Sequence, residues 1–219
     1  MQTVKKHLIA ITAVFCSLVA SGTGSAQESP PIDIEYVRIT NERAQKIVSR
    51  LELMDSEKEL RVRDQIATFY RGLHSIHNNR DAKLKLINGA KNGDQATRDS
   101  QAIVRSGSEA EQFRLHYAFV AKLATELSGD QIDLVKNGLT YEVVPKTYQQ
   151  YLKLHPNLTE EQQRTIHGFL LEAREHAMDA GSSEEKHGVF GKYKGRINNL
   201  LSAQGFDAKQ AERDLKARQ

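Results

Sequence analysis

Apolar residues recur every three or four positions from residue 40 onward, which is the spacing of helices that bury one face. The first predicted helix is capped by Thr40 and carries its apolar residues on one side: Ala44, Ile47, Val48 and Leu51. Residues 32–37, upstream of it, are predicted to form a brief extended segment. The pattern as a whole predicts an all-α fold, a single multi-helix domain built as an irregular helical array without a regular bundle heptad.

Capping residues that stand three positions before a glutamate or glutamine predict further helix starts, because the two side chains can satisfy free backbone amides reciprocally. Ser56 with Glu59 opens a long helix, and Ser108 with Glu111 opens another. Residues 88–107 are polar and aperiodic, so they are predicted to be a loop or a frayed helix end. The same spacing marks four later starts: Ser128 with Gln131, Thr159 with Gln162, Ser182 with Glu185, and Asp207 with Gln210.

Two interruptions separate the later helices. Pro145 lacks an amide hydrogen and disfavours helical geometry at Val144, so residues 141–148 are predicted to be a structured break. Gly181 is predicted to end the helix over residues 159–180 as a left-handed cap.

The N-terminus has the pattern of a secretory signal peptide. Lys5 and Lys6 precede a 13-residue apolar run over residues 8–20, and small residues end at Ala26. The run is too short to cross a bilayer core of about 30 Å as a helix. We therefore expect a signal peptide over residues 1–26, a linker over 27–39 and a helical domain over 40–219. The expected location is periplasmic or secreted, with no membrane span after cleavage.

Removal of that segment changes the chemistry available to the chain. Cys16 is the one cysteine in the sequence, so the mature chain has no disulfide and no thiolate ligand or nucleophile. Of 31 Lys and Arg, Lys5 and Lys6 are also lost, which leaves 29 against 28 acidic residues. The resulting net charge of +1 gives no argument for nucleic acid binding. The sequence has no Gly-rich phosphate loop, nucleophile elbow or His-Glu-x-x-His pattern, and we expect no metal and no cofactor.

The densest polar stretch of the chain covers residues 172–207. Glu172, His176 and Asp179 are predicted to lie in one row beside the buried stripe of the helix over residues 159–180. An acid-histidine-acid row can hold the histidine charged and bind a hydroxyl group or a cation. The alternative is an ordinary surface pair of residues four positions apart.

The next predicted helix has two unlike faces. Its apolar stripe is Phe190, Tyr193, Ile197 and Leu201. Its opposite face carries Gly188, Gly191 and Gly195, and each glycine costs a helix about 1 kcal/mol relative to alanine. Such a face indicates close approach by a flat ligand or by another helix, unless the glycines break the segment into a loop.

Basic and aromatic residues surround this region and suit an acidic sugar. The basic residues are Lys186, His187, Lys192, Lys194 and Arg196. Together they suit a uronate, sulfate or phosphate group, although solvated lysines explain the same pattern. The tyrosines at 141, 148, 151 and 193 offer faces on which a pyranose can stack, or form half-buried core.

Three phrases carry a family resemblance: VVPKTY (143–148), EAREHAMDAGSSEEKH (172–187) and GKYKGRINNLLSAQGFD (191–207). They resemble the domain of unknown function 3826 family, exported bacterial proteins to which a sugar-binding role is attached. The resemblance implies a carbohydrate ligand, and it brings no established catalytic residues. The matching positions are Lys146, Tyr148, Glu172, His176, Glu184, Lys186, His187, Lys192, Tyr193 and Arg196.

Three functional hypotheses follow. The first is an exported carbohydrate-binding protein whose site combines the Gly181 junction with the Pro145 turn. The second is a glycan-processing enzyme with His176 or His187 as general base. The third is a periplasmic helper, because the Leu-Thr-x-x-Gln phrase at residues 158–162 is similar to one in small stress chaperones related to Spy.

Overall fold

The computed structural model describes residues 33–89 and 93–218, so the predicted signal peptide and residues 27–32 of the linker lie outside the described residues. Over these two ranges the chain is all-α, with eight helices and no strand. The helices are α1 Ile34–Val48, α2 Ser56–Gly89, α3 Gln95–Ala124, α4 Gly129–Leu139, α5 Val143–Leu154, α6 Glu160–Met178, α7 Ser183–Ala203 and α8 Ala208–Ala217.

The first helix begins earlier than the apolar pattern indicated. Asp33 caps α1 by accepting a hydrogen bond from the Tyr36 amide at 3.1 Å. The predicted extended segment is therefore wrong from Ile34 onward. Thr40 does not cap a helix but lies inside one, where its hydroxyl donates to the carbonyl oxygen of Tyr36, one turn back, at 3.0 Å.

Helices α2 and α3 form a long antiparallel pair, in which the Phe69 and Phe119 rings stack 4.2 Å apart. The predicted start of α2 is confirmed, although its first amides donate to Asp55 rather than to a Ser56–Glu59 capping box.

The predicted loop before Ser108 is wrong from Gln95 onward, because α3 already begins there, capped by Asp94. Ser108 is buried inside this helix. Helix α3 packs mainly on α2, and none of the apolar residues in its first half is buried, so its apolar pattern is weak there.

The other predicted helix starts are confirmed. Ser128 and Thr159 form reciprocal capping boxes with Gln131 and Gln162. Ser182 caps α7, and Asp207 caps α8.

The predicted break between α4 and α5 exists, but it precedes the proline. Tyr141 and Glu142 form the turn, with left-handed φ angles of 60° and 59°. Pro145 lies in the first turn of α5, where its missing amide hydrogen removes no helical hydrogen bond. Val144 is accordingly helical and buried rather than extended.

Two apolar clusters form the core, and α6 contributes to both. The first joins residues of α1 to α4 and includes Met178. The second joins α5 to α7 and includes the predicted apolar stripe of α7 together with Ile166, Leu170, Ala173 and Ala177 of α6. The C-terminal end of α6 therefore lies where the two clusters meet, beside the site described next. No helix among the described residues is long and apolar enough to span a membrane.

Candidate anion-binding cleft

A cleft of about 470 Å³ opens between α1, α2, the turn after α4 and the junction of α6 with α7. We call it the cationic cleft. Of its fifteen lining residues, four are Arg or Lys and none is Asp or Glu. The cations are Arg43, Lys46, Arg50 and Lys186. A concave surface with this balance attracts anions.

The junction of α6 with α7 forms one wall of the cleft. Gly181 does not adopt the predicted left-handed conformation. Glycine is favoured here instead because a Cβ atom would lie 3.1 Å from two carbons of the His77 ring, closer than side chains usually approach. Glu185 fastens the junction, since its carboxylate accepts from the Gly181 amide at 2.7 Å and its amide donates to Ser182 Oγ at 3.1 Å.

The start of α7 adds backbone donors to this wall. Ser182 and Ser183 both line the cleft. The Ser183 amide belongs to the first turn, where amides have no partner within the helix. The helix dipole places partial positive charge at the same point.

Lys186 lies at the buried side of the cleft and is only 6% exposed. Its Nζ donates to the Leu139 carbonyl oxygen at 3.0 Å and lies 5.9 Å from the centre of the Tyr70 ring. Burial lowers the pKa of Lys186 to about 8; the Arg43 charge lowers it further and the Asp179 charge opposes the shift. The sequence placed this lysine on the rim of a glycine face, which is wrong. Its position four residues before Phe190, on the buried stripe, is a signal that could have located it.

Helix α1 supplies two of the other cations, Arg43 and Lys46, which are three residues apart and therefore lie on one side of the helix. The third, Arg50, lies in the turn just after α1 ends. Arg50 is paired with Glu142 in the turn after α4. None of the ion pairs between described residues includes Arg43 or Lys46. The sequence interpretation missed these residues, although their spacing was visible.

Three tyrosines complete the lining. The Tyr36 ring lies 4.3 Å from the His74 ring, and its hydroxyl donates to the Tyr70 carbonyl oxygen at 3.5 Å. Burial raises the pKa of Tyr70 to about 12, so its phenol stays neutral. Tyr141 is 47% exposed, and its ring is stacked on that of His187 at 5.6 Å.

The structure brings together part of the predicted two-part site. The Gly181 junction and the turn at Tyr141 line the same cleft. Lys146 and Tyr148 lie outside its lining: Lys146 donates to the Tyr141 carbonyl oxygen at 3.3 Å, and the Tyr148 ring packs 4.8 Å from His167.

The row of Glu172, His176 and Asp179 does not form. Glu172 accepts a hydrogen bond from the Tyr193 hydroxyl at 2.7 Å, whereas Asp179, at the end of α6, faces His116 on α3. His176 is exposed, 6.2 Å from the Tyr193 ring. The row fails because Asp179 shares its partner His116 with Glu175, four residues earlier, rather than with Glu172 and His176.

A second polar surface forms between α6 and α7, apart from the cleft lining. The Arg196 guanidinium lies 5.0 Å from the Tyr193 ring and 5.7 Å from the Phe169 ring. It is also 3.8 Å from the Glu172 carboxylate. Glu184 and Lys192 are exposed on α7 and do not line the cleft. Neither histidine predicted as a general base, His176 or His187, lines it either.

The glycine face of α7 remains helical and exposed. A Cβ atom at Gly188, Gly191 or Gly195 would meet no atom within 4 Å among the described residues. The interpretations of these glycines as a loop or as close packing of helices within the chain are therefore wrong. Approach of a ligand to this face remains a prediction.

Sequence reasoning also missed a polar network behind the cleft. Arg174 is 4% exposed although charged, and it donates to Asp133 at 2.7 Å and to Asn137 at 3.0 Å. Lys136 donates to Glu175 at 2.7 Å. Arg174 follows the buried Ala173 directly, and this position was a signal that its charge would need partners.

His116 lies between two carboxylates of this network. Its Nδ1 is 3.0 Å from Asp179 Oδ1, and its Nε2 is 3.4 Å from Glu175 Oε2. The hydrogen bond to Asp179, helped by Glu175, raises the pKa of His116 to about 9. Burial alone would raise the pKa of Glu175, but hydrogen bonds from His116 and Lys136 lower it to about 2. The described residues contain no group of three His, Asp, Glu or Cys arranged to hold a metal ion.

Comparison with models of protein families places most of the chain in one family. The model of a family described as "Protein of unknown function (DUF3826)" matches residues 37–219. No curated protein matches the sequence.

Proposed function

The chain belongs to the DUF3826 family, and we propose that it is an exported protein that binds an acidic saccharide in the cationic cleft. One observation carries the proposal: four cationic side chains line the cleft and no carboxylate does. The exported location rests on the signal-peptide pattern at the N-terminus.

The chemistry of the lining favours a sugar acid over other small anions. Arg43, Lys46 and the first amide groups of α7 suit a carboxylate or sulfate group. The rings of Tyr36 and Tyr141 offer faces for the apolar side of a pyranose. The volume of about 470 Å³ lies within the usual range for small-ligand sites, which suits one or two sugar residues.

Calorimetric titration of the mature protein with digalacturonate, and with the neutral disaccharide of galactose as a matched ligand, tests this proposal. We expect binding of the acidic disaccharide only. Arg43→Gln combined with Lys46→Gln should weaken it about tenfold or more, because each lost charge-assisted hydrogen bond costs about 1.5 kcal/mol. Added salt should weaken it as well.

Lys192→Gln is the matched control, since it removes an exposed cation from the glycine face outside the cleft. This variant should bind like the wild type. Equal affinity for the acidic and neutral disaccharides, no binding of either, or a loss confined to Lys192→Gln would each contradict the proposal.

A second candidate function rests on the exposed side of α3. Ile103, Phe113 and Tyr117 are 73%, 61% and 59% exposed, and their spacing puts them on one helical face. Such a face suits a helper that holds unfolded chains. Suppression of the aggregation of reduced α-lactalbumin, lost in the Phe113→Ser, Tyr117→Ser double variant but kept in Lys192→Gln, would support it.

A further inference from the structure

Lys186 has a feature that anion binding alone does not need: its side chain is buried and yet belongs to the cleft lining. An ammonium group has three N–H donors, and within the described chain the Leu139 carbonyl oxygen is the one acceptor bonded to it. The centre of the Tyr70 ring lies 5.9 Å from it, and the Arg43 charge lies close enough to lower its pKa. Lysines that are desolvated, or that lie beside another cation, are the ones that act as amine nucleophiles.

We propose that Lys186 forms a reversible imine with the carbonyl group of an anionic aldehyde or ketone in the cationic cleft, of which an open-chain uronate is one example. This deepens the proposed function and rests on it. The anionic group of the ligand lies against Arg43 and Lys46, which leaves the carbonyl end for the buried amine.

The chemistry needs no further reactant. The neutral Nζ attacks the carbonyl carbon, and the new C–N bond converts the carbonyl oxygen into a hydroxyl group. One N–H hydrogen passes to the oxygen to form that hydroxyl group, the second N–H hydrogen leaves with it as water, and a C=N bond remains. Water reverses the sequence and releases the ligand unchanged.

The fraction of Lys186 that is neutral at pH 7 supports the attack on the carbonyl carbon. With a pKa of about 8, roughly a tenth of Lys186 is neutral at pH 7, whereas an exposed lysine with the ordinary pKa is neutral in fewer than about one molecule in a thousand. Lys192, exposed on the same helix, is therefore an internal comparison.

The test uses pyridoxal 5′-phosphate, an aldehyde that carries an anionic group, and pyridoxal, the same aldehyde without it. The mature protein is incubated with each at pH 7, reduced with borohydride and mapped by peptide mass spectrometry. We expect the phosphate compound to label Lys186 at least tenfold faster than Lys192, and pyridoxal to lose most of that preference. Equal labelling of the two lysines, or equal preference with both aldehydes, would overturn the proposal.

The Lys186→Arg variant distinguishes imine formation from the effect of a positive charge at this position. It keeps a cation beside the Leu139 carbonyl oxygen but cannot form an imine, so labelling at this position should disappear. The wild-type map decides the proposal even if this variant does not fold. Digalacturonate that binds while Lys186 stays unlabelled would refute the imine and leave the proposed function standing. Labelling of Lys186 that digalacturonate does not slow would refute binding of that sugar in the cleft and leave the imine standing.

Discussion

His116 Nδ1 and Asp179 Oδ1 lie 3.0 Å apart, although the two residues are 63 positions apart in sequence. Asp179 is also held through its backbone, because its carbonyl oxygen lies 2.8 Å from His77 Nε2. Arg80 can only donate to His77 Nδ1, so Nε2 carries the proton and donates to Asp179. Helices α2 and α3 thus fix the end of α6, directly before the glycine that lines the cleft.

We expect His116→Gln to destabilise the protein by about 2 kcal/mol at pH 6, the cost of losing hydrogen bonds between charged groups. The pKa of His116 is raised in the folded state to about 9, so its contribution is complete below the ordinary value of about 6.5. The contribution falls as pH rises through 9, where folded His116 loses its proton. The difference in the free energy of unfolding between wild type and variant, measured by urea denaturation, should shrink between pH 7 and pH 10. A difference independent of pH would contradict the assigned charge.

Arg174→Ala should be among the more damaging substitutions on α6, with a loss of about 3 kcal/mol, because it removes a buried side chain together with its hydrogen bonds to Asp133 and Asn137. Arg164→Ala on the same helix is the matched control. Arg164 and its partner Glu160 are both largely exposed, so that change should cost less than about 0.5 kcal/mol. Thermal unfolding of the two variants measures the contrast, and similar melting temperatures would count against the network.

Glycine-to-alanine changes on either side of the α7 start should have opposite signs. Gly181→Ala forces a methyl group to within 3.1 Å of the His77 ring and should destabilise the protein by about 1–2 kcal/mol. Gly191→Ala meets open space inside a helix and should stabilise it by up to about 1 kcal/mol. Unfolding midpoints in urea report both. A destabilising Gly191→Ala would mean that the exposed face of α7 is not free for a side chain.

Thr159→Ala should cost about 1 kcal/mol, since Thr159 Oγ1 accepts from the Gln162 amide at 3.2 Å at the start of α6. Thr165→Ala, a turn further along the same helix, removes only an exposed hydroxyl that bonds back to the Glu161 carbonyl oxygen at 2.8 Å. That variant should be neutral or slightly more stable, because alanine is the better helix former. Equal losses in the two variants, by thermal unfolding, would argue against the cap.

Capping interactions between residues close in sequence could be predicted from the sequence, whereas the burial of side chains by distant elements largely could not. The capping boxes at Ser128 and Thr159 were correct because every participant lies within four residues. The early half of α3 was missed because none of its apolar residues is buried, so it lacks the periodic apolar stripe that marks a helix in a sequence. Lys186 was placed in the correct region but with the wrong exposure: its amino group finds the Leu139 carbonyl oxygen, 47 positions away, and no local pattern shows that partner.

The turn between α4 and α5 contains two strained residues, which lowers the stability of the fold. Tyr141 and Glu142 hold backbone angles at which glycine would be less strained, a cost of about 1 kcal/mol or more for each residue. What the chain obtains in return is a tyrosine ring in the cleft wall and a carboxylate that engages Arg50. A chain optimised for robustness alone would relax this corner, so under the proposed function the strained turn is a place where stability is given up for ligand binding.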